Sequence, residues 1–287
     1  MNFTAALPTL LLLALALVMF GLGLSLTVQD FSRLREHPRS VLLALGLQML
    51  VLPACAVALI ALWGVSPIYA VGLMLLAASP GGVSANLFSH LFGGNVAMNI
   101  SLTAINTVLS IVSLPLIANA AIARYLQTGQ VVPLQFGKVL EVVAVVMVPV
   151  LIGMVVRRHR PAFSERMGAP MKALSAVVLA AFSLIAIVKE WAALTESFSS
   201  LGPVVLTFNL VSLAVGYYLS RAVGLVKPLA TAVSFEIGIH NSTLAIFVAL
   251  SVLGNVQLAL PAALYSVSMY LTATAFGFLV LRRPERP

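Results

Sequence analysis

The chain has 287 residues, 61% of them hydrophobic and 8% charged, with a net charge of +8, and its mean hydropathy is +1.09. A soluble domain carries about 25% charged residues, so this composition cannot build a water-facing surface, and soluble enzymes are set aside. The excess positive charge is read by its placement in loops rather than as a nucleic-acid signal, and the single cysteine, Cys55, allows neither an intrachain disulfide nor a Cys-rich metal cluster.

Taken in chain order, apolar runs of roughly 20 residues, each long enough to cross hydrocarbon, give nine candidate spans. No Lys or Arg precedes the first, at about residues 8–28. Its apolar stretch is too long for a signal-peptide core, so no cleavable leader is expected. The second, about 40–63, carries Gln48 and Pro53. The third, about 67–91, is interrupted by Ser79-Pro80-Gly81-Gly82, where proline removes a donor and the glycines loosen the backbone. The fourth, about 95–123, contains Asn99 and Thr103. On the fifth, about 136–156, Glu141 follows Lys138 by three residues, a spacing that predicts a local ion pair. The sixth and seventh, about 169–189 and 201–221, are unremarkable apolar runs. In the eighth, about 228–253, Glu236, Gly238, His240, Asn241, Ser242 and Thr243 crowd the middle. The ninth, about 257–281, holds Ser266. Trp63 and Trp191 fall at span ends, where interfacial aromatic belts belong. All nine are predicted helices, because a bilayer offers backbone groups no partner outside their own segment.

Basic residues set the orientation. With the amino terminus outside, the cytoplasmic regions hold Arg33, Arg35, Arg39, Arg157, Arg158, Arg160, Arg166, Lys172, Arg221, Lys227, Arg282, Arg283 and Arg286. The outer ends keep Arg124, Lys138 and Lys189. A bias of 13 to 3 places the carboxyl terminus in the cytoplasm.

The two interrupted spans are the third and the eighth. Being five apart, they cross in opposite directions, as inverted repeats of spans 1–4 and 6–9 require. Interrupted segments at matching places in two halves point to a transporter's binding site. The amino-terminal ends of half-helices favour an anion, and carbonyls freed at a break suit Na⁺. A mid-membrane carboxylate such as Glu236 costs at least a few kcal/mol without a partner. No Lys or Arg lies at comparable depth, which leaves a bound cation as its counter-charge or a protonated acid in a helix–helix hydrogen bond.

Three groups of residues carry a family resemblance. Phe20-Gly21-Leu22-Gly23-Leu24, Asp30-Phe31, His37-Pro38, Gln48 and Leu52-Pro53-Ala54 form the first. Ser79 to Asn86 with Gly94-Asn95-Val96-Ala97 form the second, and Glu236 to Ser242 the third. Together they resemble the bile acid:sodium symporter family over nearly the whole chain. Bacterial members often have ten spans; nine with the amino terminus outside is similar to the animal bile acid carriers and implies that the first span is absent here, and the expected location is a bacterial inner membrane. The resemblance implies a panel of spans 1, 5 and 6, and a core of spans 2–4 and 7–9 in which the discontinuous helices cross. It also implies sodium-coupled alternating access.

By the same resemblance, a first sodium site would comprise Ala85 through its carbonyl, Asn86, Asn99, Thr103 and Glu236. Asn99 stands where the family commonly has Ser. A second site would use Gln48, Glu236 and the carbonyls of Ile237, Ile239 and His240. His240 replaces a usual Gln with a side chain that has no oxygen, so this second site is weakened, or His240 couples protons, or only its backbone carbonyl matters. Val83, Ser84, Asn241 and Ser266 are the substrate candidates. Val83 and the run Ser268-Met269-Tyr270 depart from the family pattern, which leaves the anion open between a bile acid and a small monocarboxylate such as pantoate. Na⁺ is the expected coupling ion, with no organic cofactor and no obligate protein partner. A proton-coupled or sodium-independent carrier stays open, as does a channel or a non-transporting sensor. No Gly-Lys-Ser/Thr phosphate loop, metal-spaced His/Cys/Asp set or nucleophile elbow is present, so ATP hydrolysis and enzymatic catalysis find no support.

Overall fold

In the computed structural model, residues 3–126 and 136–281 are described. The side chains of Lys138, Glu141 and Lys172 lie outside the described residues, as do Arg282, Arg283 and Arg286, and with them the expected Lys138–Glu141 pair.

The described chain is helical, and its exterior is apolar. Leu42, Leu62 and Leu271 are 72%, 73% and 71% exposed, while Asn99, Thr103, Asn106, Asn209 and Glu236 are fully buried. This inversion of the water-soluble pattern follows when hydrocarbon is the solvent. Among the described residues six helices are long and apolar enough to cross a membrane: Pro38–Trp63, Val96–Tyr125, Val142–His159, Pro161–Lys189, Phe198–Ala222 and Gln257–Leu281. Three shorter apolar helices, Leu12–Ser25, Pro67–Ala78 and Ser242–Val252, accompany them. The chain is an integral membrane protein.

In order, the helices are α1 (Phe3–Ser25), α2 (Val28–Arg33), α3 (Pro38–Trp63), α4 (Pro67–Ala78), α5 (Val83–Leu91) and α6 (Val96–Tyr125). They continue as α7 (Phe136–His159), α8 (Pro161–Lys189), α9 (Trp191–Ala222), α10 (Lys227–Gly238), α11 (Ser242–Val252) and α12 (Gln257–Leu281).

Several local features follow directly from the residues. Asp30 turns the chain into α2 by accepting from the Thr27 backbone N–H (2.7 Å) and hydroxyl (2.8 Å) and from Arg33 (2.8 Å). In α3 a π-helical turn, Leu47–Val51, lies just ahead of Pro53. Proline lacks the N–H that an α-helix needs there, and the wider turn absorbs the defect. Asn95 caps α6 by accepting from Met98 N at 2.9 Å.

Helix α1 packs chiefly on α7 and α8, and α10 chiefly on α9. The α1–α7 approach depends on two glycines. A Cβ added at Gly23 would meet the Val150 backbone, and one added at Gly153 would meet the backbones of Phe20 and Gly23. Lipid gives helices no hydrophobic reason to associate, so close contact through small residues supplies the attraction instead.

Candidate functional site

Two helices stop short inside the molecule. Helix α4 ends at Ala78; Ser79 turns extended (φ −74°, ψ 144°) and Pro80 cannot donate, so the chain resumes as helix only at Val83. Helix α10 ends at Gly238, and Asn241 starts α11 by accepting from Leu244 N at 3.1 Å. The two breaks pair with each other. Gly81 and His240 form an antiparallel bridge, in which Gly82 N donates to the Ile239 carbonyl (2.7 Å) and Asn241 N to the Pro80 carbonyl (2.8 Å). Non-helical backbone at membrane depth persists only where its polar groups find such partners.

Side chains from three other helices complete the satisfaction. The Gly238 carbonyl, the last of α10, accepts from Asn209 Nδ2 (2.8 Å) and from the Tyr265 hydroxyl (2.8 Å), while Thr272 donates to Asn209 Oδ1. The Ser79 carbonyl accepts from Gln48 Nε2 (2.9 Å) and faces His240 Nδ1 (3.1 Å). A carbonyl can only accept, so Nδ1 carries the proton of that imidazole. Phe208 stacks on the His240 ring at 5.6 Å between centroids, and Tyr265 meets its edge at 5.4 Å.

Glu236 lies one turn before the second break and is fully buried. Thr103 Oγ1 donates to its Oε2 at 2.6 Å and Asn106 Nδ2 donates to its Oε1 at 2.9 Å. Gly81 must be glycine, because a Cβ there would overlap the carboxylate carbon and both of its oxygens. The acid of one broken helix is thereby seated against the break of the other.

The residues assigned by resemblance to a first sodium site are brought to this region. Thr103 touches Glu236, and Asn99 reaches α10 through Nδ2 to the Ala232 carbonyl at 2.7 Å. Asn99 Oδ1 and Asn86 Oδ1 are buried and have no hydrogen-bond partner among the described residues, and Ala85 is fully buried. Orphaned buried amide oxygens are what a hard cation wants, since Na⁺ and Ca²⁺ take oxygen ligands. The donor set fits a sodium ion.

In the second set, Gln48 Oε1 is likewise buried without a partner, while its Nε2 donates to the Ala77 (3.1 Å) and Ser79 carbonyls. The Ile239 carbonyl already accepts from Gly82. Ile237 lies within α10, buried, and His240 Nε2 is buried without a partner among the described residues.

Of the substrate candidates, Val83, Ser84 and Asn241 share the wall of a cavity of about 30 Å³ with Ser242, Thr243 and Tyr270. Ser84 Oγ and the Tyr270 hydroxyl lie 3.1 Å apart. Ser266 stands apart from this wall; its hydroxyl is 2.6 Å from Ser183 Oγ on α8 and donates to the Ala263 carbonyl. Val83 also walls a second cavity, of about 230 Å³, that extends to Arg157 and Glu165. Arg157 in turn walls a third, of about 680 Å³, with Arg158 and the apolar Leu26, Leu151 and Met154.

The model of the sodium bile acid symporter family matches residues 12–197. The chain belongs to that family. It is 26% identical over 266 residues to "Probable sodium/metabolite cotransporter BASS1, chloroplastic" of Arabidopsis thaliana, covering 93% of this chain and 65% of the relative. It is 30% identical to the "P3 protein" of Homo sapiens over 78% of this chain and 47% of that protein. Against "Uncharacterized sodium-dependent transporter YocS" of Bacillus subtilis it is 26% identical, over 88% and 77%. The chain spans less than two thirds of the length of the plant relative.

Four family-member residues carry geometry that motif reasoning missed. Asn106 is the clearest. It follows Thr103 by three residues and Asn99 by seven, so a helical-face count would have put all three on one stripe. Asn209 lies on α9 and Tyr265 and Thr272 on α12, so their meeting at the end of α10 leaves no local signal.

Proposed function

We propose that the chain is a sodium-coupled carrier of an organic anion, working by alternating access. The observation that carries this reading is the fully buried Glu236 at the junction of two interrupted helices, bordered by orphaned amide oxygens and with no Lys or Arg hydrogen-bonded to it among the described residues. Asn86, Asn99, Thr103, Glu236 and the Ala85 carbonyl hold the cation. Glu236 reaches through the Gly81 break, so a bound cation and the backbone beside the substrate cavity move as one unit.

In this reading there are nine spans, with the amino terminus outside and the first four related to the last four by inverted topology. The interrupted spans form the core with their neighbours, and α1, α7 and α8 form the panel against which it rocks. The anion meets Val83, Ser84 and Asn241 near the crossing. The three cavities, the first and second meeting at Val83 and the second and third at Arg157, provide its route to the basic, cytoplasmic side, where Arg157 and Arg158 offer an anion complementary charge and Leu26, Leu151 and Met154 suit an apolar body. Bile acid in the family's name and metabolite in the relatives' names support an organic substrate of this class.

The test is uptake into proteoliposomes of radiolabelled cholate and pantoate, driven by an inward sodium gradient and compared with potassium. Sodium-driven accumulation in the native protein, abolished by Glu236→Ala with expression retained, is the expected result. Normal sodium-driven uptake by that variant refutes the assignment.

A further inference from the structure

Glu236 has one partner that a cation site does not need. Thr103 offers an oxygen that can ligate a metal, but Asn106 presents its N–H to Oε1 at 2.9 Å, and a nitrogen donor cannot ligate a cation. Asn106 is fully buried, and its Oδ1 has no hydrogen-bond partner among the described residues. Its orientation is therefore set by the carboxylate alone. The amide N–H and a cation are two positive partners for one acid, so each reduces what the other contributes.

We propose that Asn106 substitutes for the cation: it stabilises Glu236 in the cation-free carrier and thereby sets how tightly the cation binds. The inference rests on the reading of Glu236 as a cation ligand. A symporter must cross the membrane unloaded on one leg of its cycle, and a carboxylate buried in apolar surroundings resists that step unless the protein supplies a partner. Thr103 and Asn106 supply it. The consequence is counterintuitive, because removing this buried polar group tightens sodium binding.

Sodium alone tests this. Purified native protein and Asn106→Leu are melted in choline chloride and then at rising Na⁺, where stabilisation grows with the ratio of ligand to its dissociation constant. The variant is expected to melt lower in choline and to be rescued more by sodium. Its half-saturating Na⁺ should fall by at least roughly tenfold, since a hydrogen bond to a charged group is worth more than the free energy of that factor. Asn106→Thr, whose hydroxyl can still donate, should return toward the native value. Where leucine is not accommodated, Asn106→Ala carries the same comparison. An equal loss of melting temperature at every sodium concentration makes Asn106 merely structural and overturns the proposal. A raised half-saturation makes it a cation ligand and overturns it as well. A native protein indifferent to sodium removes the cation site itself, and this proposal with it.

Discussion

Gly81→Ala adds one methyl group where the structure has no room for it. The new Cβ would overlap the carboxylate carbon and both oxygens of Glu236, a side chain with no exposure through which to retreat. Either the break shifts or the acid does. Overpacking of this kind costs about 1–3 kcal/mol, and an acid pushed off its seat no longer faces the oxygens proposed to share the cation. Taken as lost cation affinity, that range is a roughly five- to hundredfold weaker binding at about 1.4 kcal/mol per decade. The assay is the sodium dependence of thermal unfolding in detergent. Gly46→Ala is the control, since a Cβ there meets nothing within 4 Å. A Gly81→Ala variant with native sodium half-saturation would refute the claim that the break of one helix cradles the acid of the other.

Three further outcomes follow from the packing and the cavities. Tyr265→Phe removes one of two side-chain donors on the Gly238 carbonyl; it should cost about 1 kcal/mol, read as a lower melting temperature, and an unchanged melt would contradict the role given to that hydroxyl. Gly153→Ala presses on the Phe20 and Gly23 backbones and should destabilise by about 1–3 kcal/mol, whereas a more stable variant would mean that α1 and α7 have slack between them. Arg157 lies 3.4 Å from Glu165, whose side chain is 69% exposed, so the pair is worth less than about 1 kcal/mol. Arg157→Gln should therefore leave the melt unchanged while raising the anion concentration for half-maximal uptake, and unaltered uptake would take Arg157 off the proposed route.

Residues that break a rule of their environment were visible in the sequence. Pro80 and Gly81-Gly82 cannot continue a helix comfortably, and Glu236 cannot sit in hydrocarbon alone, so both interruptions and the central acid announced themselves. The pairing of the two breaks through Gly82–Ile239 and Asn241–Pro80 did not, because hydrogen bonds between segments about 160 residues apart have no local signature. Asn106 was passed over for a different reason. A lone amide in a membrane helix reads as ordinary interhelical hydrogen bonding, and only its partner on α10 distinguishes it. Ser266 looked like a cavity residue from its span, yet its hydroxyl is turned to Ser183, a direction that depends on which helix packs beside α12. The capping, turn and proline chemistry at Thr27, Pro53 and Asn95 is local, and the sequence alone suffices to place it.

The account depends most on a cation bound by Glu236. Glu236→Gln keeps the side chain's size and its capacity to hydrogen-bond but removes the charge. Direct binding of ²²Na⁺ to the purified protein should be saturable in the native chain and absent in this variant, with both melting cooperatively. Native-strength sodium binding by Glu236→Gln would contradict the account.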